Sequence, residues 1–590
     1  MSGTDAPAPG SASQASWTTS GEGHPRRWAI LAVLVTSLLV VVLDNTILNI
    51  ALPTIQRDLN ASQSQLVWAV DSYILVFAAL LFTWGVLGDK YGRKRILMIG
   101  LTVFGLASAA CAFAPNAGAL IGFRAVMGIG GAAVLPVTLA VITVVFPPHE
   151  RGKAIGAWAG AVGAAVALGP VLGGLLLQHP SWSSWLTGND WGSVFLVNVP
   201  IVIIGLFGIW RIVPETKNPK AQALDIPGLI MSIIGLVLLV YGIIHASETR
   251  TFLAASVLIP MFAGIAVIIA FIVTEARSSH RSFDVTLFRN RGYTVSLTAV
   301  SLAFFALSGI TFTLPFYLQV LRGYSTLQAG LCFLPFAVGQ LLAAPRSAKM
   351  VERFGYKLVM STGLFVVGFS LLGLTRLGMD TSIVLILVIF FFFGLGMGSV
   401  IAPASTVMQN VLPLARAGAG SAVQNTVRQV FGALGVAVIS TLLATRFASL
   451  MEPTLAKLPP AFPDAAKNVA AQSVGGAVEV FGRAASAGMP SAIVKQLTSE
   501  AYQSFLTASH LTSLVSAGII FVAAFAVALL LPKISPPRKD PAVPPAPHED
   551  GTVHEITAKT RGLADAEAAE LETSYAHEAA EEIVDPKRHP

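Results

Sequence analysis

Charge is what this sequence has least of. Asp, Glu, Lys and Arg make up 12% of its 590 residues, about half the roughly 25% of an average soluble domain. So few charges cannot cover a water-facing surface, which excludes a soluble enzyme of several domains. Cysteine is scarcer still. Cys111 and Cys332 both lie in apolar runs, without a CxxC partner or a nearby His. That argues against a disulfide framework or a metal site and reads as two inert buried thiols. The His residues show no metal-ligand spacing, no water-accessible nucleophile triad is evident, and no Walker loop is present. The chain is thus expected to be neither an enzyme nor an ATP-driven pump, and to need no metal or cofactor. The 53 Gly and 34 Pro follow no G-X-Y period, so the chain is not collagenous.

Apolar length is what the sequence has in abundance. Hydrophobic residues make up 54% and the mean hydropathy is +0.71, which rules out disorder for most of the chain. The class that remains is an all-α polytopic membrane protein set in a lipid bilayer. A helix crosses the hydrocarbon with about 20 mostly apolar residues. Fourteen such stretches fall at roughly 28–53, 66–87, 95–114, 118–146, 154–177, 193–213, 226–245, 252–274, 293–320, 327–345, 357–376, 382–409, 418–445 and 509–531.

A net charge of +7 would suggest nucleic acid in a soluble chain. Here the bases collect in every second loop, so no nucleic-acid partner is expected. Arg26 and Arg27 precede the first span; Lys90, Arg93, Lys94 and Arg95 follow the second; Arg151 and Lys153 follow the fourth; Lys217 and Lys220 follow the sixth. Arg277, Arg281, Arg289 and Arg291 follow the eighth, Arg346, Lys349, Arg353 and Lys357 the tenth, Arg416 the twelfth, and Lys533, Arg538 and Lys539 the last. The alternate loops hold only scattered bases such as Arg57, Arg250, Arg322 and Arg376. The positive-inside rule then places both termini in the cytoplasm, which requires an even number of spans.

Residues 1–27 are expected to form a disordered cytoplasmic tail without the parts of a cleavable signal peptide, and 532–590 a Pro-rich, then acidic, solvated tail. The stretch 446–508 reads as one long outer loop in which segments such as Val478, Val480 and Phe481, then Ile493, Val494 and Leu497, are expected to form short amphipathic helices on the membrane surface. An internal repeat organises the rest. Gly85-Val-Leu-Gly-Asp89-Lys-Tyr-Gly92-Arg93-Lys94 is echoed 263 residues later by Ala348-Lys-Met-Val-Glu352-Arg-Phe-Gly355-Tyr-Lys357, and the same shift lays span one on span nine. This predicts two six-helix bundles, 28–213 and 293–531, with two inserted helices in 214–292. Repeats of this kind hold a substrate site near the midplane between the halves and work by alternating access.

Four motifs carry a more specific resemblance. They are Leu43-Asp44-Asn45-Thr46-Ile-Leu-Asn49-Ile-Ala51-Leu52-Pro53, Gly85 to Lys94, Arg124-Ala-Val-Met127-Gly128 with Gly130, and Gly163 followed by Gly169-Pro170-Val-Leu-Gly173-Gly174. In that order and on those spans, the sequence resembles the major facilitator superfamily over about residues 28–531, and within it the fourteen-span drug/proton antiporter branch. One position departs from the pattern: Met127 stands where the family usually has Gln. The resemblance implies a proton-coupled antiporter that exports amphipathic small molecules, drugs or antibiotics, across the cytoplasmic membrane. Two other readings stay open: export of an endogenous lipid or natural product, and a transport-inactive membrane sensor or assembly partner. A monomer is expected.

The residues fit such chemistry. Asp44 lies about 24 Å along the first helix at ~1.5 Å per residue, inside hydrocarbon, where a carboxylate costs at least ~2.5 kcal/mol and marks a functional site by default. Burial favours the protonated form of a carboxyl and a nearby cation the ionised form, the opposed effects a proton carrier needs. Arg124, at matched depth, is the expected partner, and Asp71 a second proton-coupling carboxylate. Asn45, Phe305, Phe312, Phe316 and Arg428 are candidates for the substrate cavity. Gly169-Pro170 is expected to break the fifth span and, with Gly173, to shape the outer gate. Gly85, Asp89, Gly92 and Arg93 are expected to form a tight cytoplasmic turn that holds the two halves together. Gly128-Ile-Gly130-Gly-Ala-Ala133 satisfies a loose dinucleotide pattern but follows no strand, so helix packing explains it.

Overall fold

A computed structural model describes residues 23–217, 226–249, 251–277, 285–410, 417–456, 458 and 462–534. The N-terminal residues 1–22 and the acidic tail from 535 lie outside the described residues. The described chain is helical and contains no strand. It begins with α1 (Arg27–Leu59), α2 (Gln63–Tyr91), α3 (Arg93–Ala112), α4 (Ala117–Gly131), α5 (Val134–Val145), α6 (Pro148–Gln178) and α7 (Asn198–Ile212). The pair α8 (Ile226–Thr249) and α9 (Ala255–Arg277) follows. The remainder holds α10 (Arg291–Phe316), α11 (Thr326–Leu331), α12 (Leu334–Leu374), α13 (Ile383–Asn410), α14 (Ala417–Ala456), α15 (Asp464–Gln472), α16 (Val474–Ser486) and α17 (Ser491–Leu530).

Twelve helical stretches among the described residues are long and apolar enough to cross a membrane, against fourteen expected. Two expected spans, 327–345 and 357–376, fall within one stretch, Thr326–Leu374, in which Gly355 (φ 80°, ψ 159°) is the kink between two separate helices. A third, 154–177, falls in α6, of which Leu168–Gln178 stands as a shorter apolar helix. Span four is divided between α4 and α5 at Ala132 and Ala133. Pro136 accounts for this, since it brings no N–H to the carbonyl four residues back. The stretch 446–508, read as a long loop with short amphipathic helices, is largely helical, and the helices are longer than expected. α14 runs on to Ala456, α17 starts at Ser491, and α15 and α16 lie between them. At 40 residues each, α14 and α17 are about 60 Å long, twice the roughly 30 Å hydrocarbon layer.

The internal repeat is written into backbone geometry. Asn60 after α1 and Gly323 before α11 both have positive φ, 48° and 65°. Ser62 and Gln65 make a capping box at the start of α2, and Ser325 and Gln328 make the same box at the start of α11. Gly92 (φ 114°) and Gly355 (φ 80°) close the two segments. Every one of these pairs is separated by 263 residues.

Helix packing follows the same order. α1 lies against α6 and α7, α2 and α3 against α4, α12 against α13 and α17, and α10 against α14. The first group meets the last through α2 on α14, α6 on α11 and α1 on α10. α8 packs on both α2 and α14, while only 11% of the apolar window of α9 is buried. Ile259, Phe262 and Ile269 face outward from it, as suits a lipid-facing helix.

Candidate functional site

The molecule has a proximal face, where α1 begins, and a distal face, where α1 ends. Asp44 and Arg124 are both nearly sealed from solvent, at 2% and 1% exposure. The Arg124 Nη1 donates to Asp44 Oδ2 at 2.5 Å, its Nε donates to the Ala69 carbonyl at 3.1 Å, and Met127 Sδ lies 3.7 Å from Nη1. The thioether of Met127 thus lies against the guanidinium. The Tyr73 ring lies 4.4 Å from the Arg124 carbon, a cation–π contact in a dry site.

The other carboxylate oxygen is also engaged. Asn198 Nδ2 donates to Asp44 Oδ1 at 3.0 Å and to Ser108 Oγ at 3.0 Å, and Ser108 donates to the Phe195 carbonyl at 2.9 Å. Five elements therefore converge: α1 brings Asp44, α2 Tyr73 and Ala69, α3 Ser108, α4 Arg124 and α7 Asn198. Sequence reading passed over Asn198, although a lone Asn in the apolar run Phe195-Leu-Val-Asn-Val-Pro is the kind of intramembrane polar residue that marks a site. Ser108 leaves no such signal, because serine is common in membrane helices.

Asp71 lies on α2 and is fully buried, and neither of its carboxylate oxygens has a hydrogen-bond partner among the described residues. It is not part of the Asp44 cluster. Asn45 donates to the Val41 carbonyl of its own helix at 3.4 Å. Phe305, Phe312 and Phe316 are buried on α10, the last two with ring centroids 6.1 Å apart. The Arg428 guanidinium on α14 lies 4.8 Å from the Phe304 ring.

The helix break expected at Gly169-Pro170 is absent, and α6 runs through Pro170. Membrane helices absorb a proline by local adjustment. What the glycines supply is proximity: a Cβ on Gly169 would stand 1.8 Å from Thr46 Oγ1 of α1, and one on Gly174 2.4 Å from the Thr326 carbonyl. The nearby Gly173 faces Ile47, and the Thr326 hydroxyl donates to the Gly174 carbonyl at 2.9 Å. Gln319 Nε2 adds a bond to the Ile50 carbonyl at 2.9 Å, so the distal ends of α1 and α6 are tied to the segment around α11.

On the proximal face Arg93 pairs with Asp89 across one helical turn, at 2.8 Å. Gly85 sits in ordinary contact with Pro136. The turn at Gly92 is tied to the exit of α7. Glu215 accepts from the Lys94 N–H at 3.1 Å, Arg93 N–H donates to the Thr216 carbonyl at 3.0 Å, and Lys94 Nζ donates to the Trp210 carbonyl at 2.7 Å. A carboxylate at the start of α3 meets the unpaired N–H groups of a helix N-terminus, which is why Glu215 is drawn there. Its role was not visible in sequence, because it lies 121 residues from Lys94.

Comparison with known proteins agrees with this architecture. The model of the Major Facilitator Superfamily matches residues 34–436. The multidrug efflux pump LfrA of Mycolicibacterium smegmatis is 34% identical over 505 residues, 85% of this chain and 96% of that protein. The tetracenomycin C resistance and export protein of Streptomyces glaucescens is 31% identical over 532 residues, 88% of this chain and 95% of that one. Among solved structures, a bacterial homolog of the human lysosomal transporter Spinster, inward-facing and unoccupied, superposes with a TM-score of 0.60 at 16% identity, covering 85% of this chain and 98% of its own.

Proposed function

Because the chain belongs to the Major Facilitator Superfamily, a family of multi-pass membrane transporters of small molecules, we propose that it is a proton-coupled antiporter exporting amphipathic drugs or antibiotics by alternating access. The observation that carries this reading is the buried Asp44–Arg124 pair, held on its second oxygen by Asn198. An ion pair in hydrocarbon is costly to keep, and a carboxyl whose charge is balanced by a single arginine is suited to gain and lose a proton as the helices around it move. Asp71 is the second proton-coupling carboxyl. The phenylalanines of α10 and Arg428 line the path of the substrate with Asn45.

In this reading fourteen helices form two six-helix bundles, 28–213 and 293–531, with α8 and α9 inserted between them. The monomer sits in the cytoplasmic membrane with both termini inside, so the distal face is the outer one. The bonds from Gln319 to Ile50 and from Thr326 to Gly174 are then an outer gate in its closed state, and α6 glycines let it close tightly. The α2–α3 turn with Gly85, Asp89, Gly92 and Arg93 braces the inner side.

The proton gradient offers ~1.4 kcal/mol per pH unit, and the membrane potential ~2.3 kcal/mol per charge per 100 mV. The test uses inverted vesicles with an acid interior and a panel of lipophilic cations, neutral antibiotics and lipids. Substrate-evoked proton release by the wild type that is lost in Asp44→Asn supports the proposal. Release that survives in Asp44→Asn moves the coupling away from Asp44. Silence across the panel refutes drug export. A second reading, export of an endogenous natural product, is favoured by the similarity to the tetracenomycin C export protein, and a response confined to such compounds would select it.

A further inference from the structure

Arg124 and Arg428 both lie within apolar helical stretches, and Arg124 finds its partners inside the chain. Its guanidinium engages the Asp44 carboxylate, the Ala69 carbonyl and the Tyr73 ring. Arg428 has the ring alone, with Phe304 4.8 Å from its guanidinium carbon. Its Nε is buried without a hydrogen-bond partner, and no described residue forms an ion pair with it. A guanidinium withdrawn from water requires acceptors for its five N–H groups, and a ring face meets its charge without accepting from any of them.

Helix packing fixes where Arg428 stands. α14 touches the backbone of α10: a Cβ on Gly435 would lie 2.1 Å from the Phe305 carbonyl, and one on Gly432 3.1 Å from Ser308 Oγ. One turn before Gly432 the packing loosens. Every residue from Asn425 to Phe431 is half-buried, whereas Gly432, Ala433, Val436 and Ala437 are buried. Among the described residues the helix is therefore loosely surrounded at the level of Arg428, and a small molecule can reach it there.

The charges on the helices around it leave this cation uncompensated among the described residues. α10 has no charged residue after Arg291, and α13 has none. The next charge along α14 is Arg446, about 27 Å on at ~1.5 Å per residue. α8 and α17 pack on α14 as well, and their acidic residues lie in their distal halves. On α2, Asp89 is bound to Arg93 at the proximal end. Asp71 is fully buried and makes no hydrogen bond among the described residues.

We propose that Arg428, backed by Phe304, receives an acidic oxygen of the substrate, so that this part of the path selects aromatic amphiphiles bearing a carboxylate. The planar fork takes a carboxylate through two parallel N–H···O bonds, which supplies what Asp44 supplies to Arg124. This deepens the exporter reading and rests on it for the placing of Arg428 on the substrate path.

The test compares rhodamine 110, which carries a free aromatic carboxylate, with rhodamine 123, its methyl ester. Each is titrated onto the full chain in nanodiscs, with empty nanodiscs as background, and fluorescence polarisation is read without any gradient. Arg428→Gln is expected to weaken binding of the acid about tenfold, a change of ~1.4 kcal/mol, and to leave the ester unchanged. Arg428→Lys keeps the charge but not the fork, and should weaken the acid about threefold while sparing the ester. It decides the matter if Arg428→Gln does not fold. Equal weakening of acid and ester would make Arg428 a structural residue and overturn the proposal. Acid binding indifferent to Arg428, or no binding of the acid by the wild type, would overturn it too. Acid binding that depends on Arg428 in a chain giving no substrate-evoked proton release upholds the site and rejects the exporter reading alone.

Discussion

Arg124 Nη1 stands 2.5 Å from Asp44 Oδ2 with both side chains withdrawn from solvent, although 80 residues separate them in the chain. Removing one member of a buried pair strands the other charge and costs about 3–5 kcal/mol. Arg124→Leu is therefore expected to lower the melting temperature of the purified chain and to abolish transport together. Arg124→Lys keeps the charge but not the planar fork that reaches Asp44 and the Ala69 carbonyl at once. It should retain a near-native melting curve and lose transport. Native transport by Arg124→Lys would show that charge alone suffices.

Asn198 is a positioning residue, since its amide holds Asp44 Oδ1 while Ser108 holds the amide. A hydrogen bond to a charged group contributes about 1.5–3 kcal/mol. Asn198→Leu withdraws it from Asp44 and should change the pH profile of transport, with apparent substrate affinity little changed. A profile identical to wild type, with only a lower melting temperature, would assign Asn198 a structural role alone.

Gly169 sets the distance between α1 and α6. A methyl group there would meet Thr46 Oγ1 at 1.8 Å, and overpacking of this kind costs about 1–3 kcal/mol. Gly169→Ala is expected to destabilise the chain by that amount, read as a lower melting temperature. Pairing it with Thr46→Ala removes the hydroxyl and should recover part of the loss. Full independence of the two substitutions would contradict the contact.

Gly92 and Gly355 hold backbone conformations that other residues reach only at about 1–3 kcal/mol. A methyl group added at Gly355 would find no atom within 4 Å, whereas one added at Gly92 would fall 2.5 Å from Glu215 Oε1. Gly355→Ala should therefore incur backbone strain alone, and Gly92→Ala strain plus displacement of Glu215. Thermal melting of the two variants checks the order.

Much of the helix layout is legible in the sequence because hydrocarbon imposes a length on every crossing, and the positions of α1, α2, α3, α8, α9 and α13 follow from that length alone. The ends are less legible. Gly355 is a single residue between two helices, and the boundary is legible from the bases Arg346, Lys349, Arg353 and Lys357 and not from a long polar loop. The stretch between α14 and α17 has mixed composition, so its helices depend on packing over Gln56 and Asn60 and not on an apolar run. Depth along two helices was enough to pair Asp44 with Arg124. Asn198 and Glu215 escaped notice because their partners lie 154 and 121 residues away, and no local pattern announces a contact of that range.

The continuous course of α17 has a mechanical consequence. Its first turns line a cavity on the distal face and its later turns pack on α10, α12 and α14, with no break between Ser491 and Leu530. A rod about 60 Å long works as a lever, and a tilt of roughly ten degrees about its middle carries each tip about 5 Å. In the proposed transport cycle, a rocking of the membrane-embedded part would be carried along this one helix to Leu497 and Glu500 at its distal end.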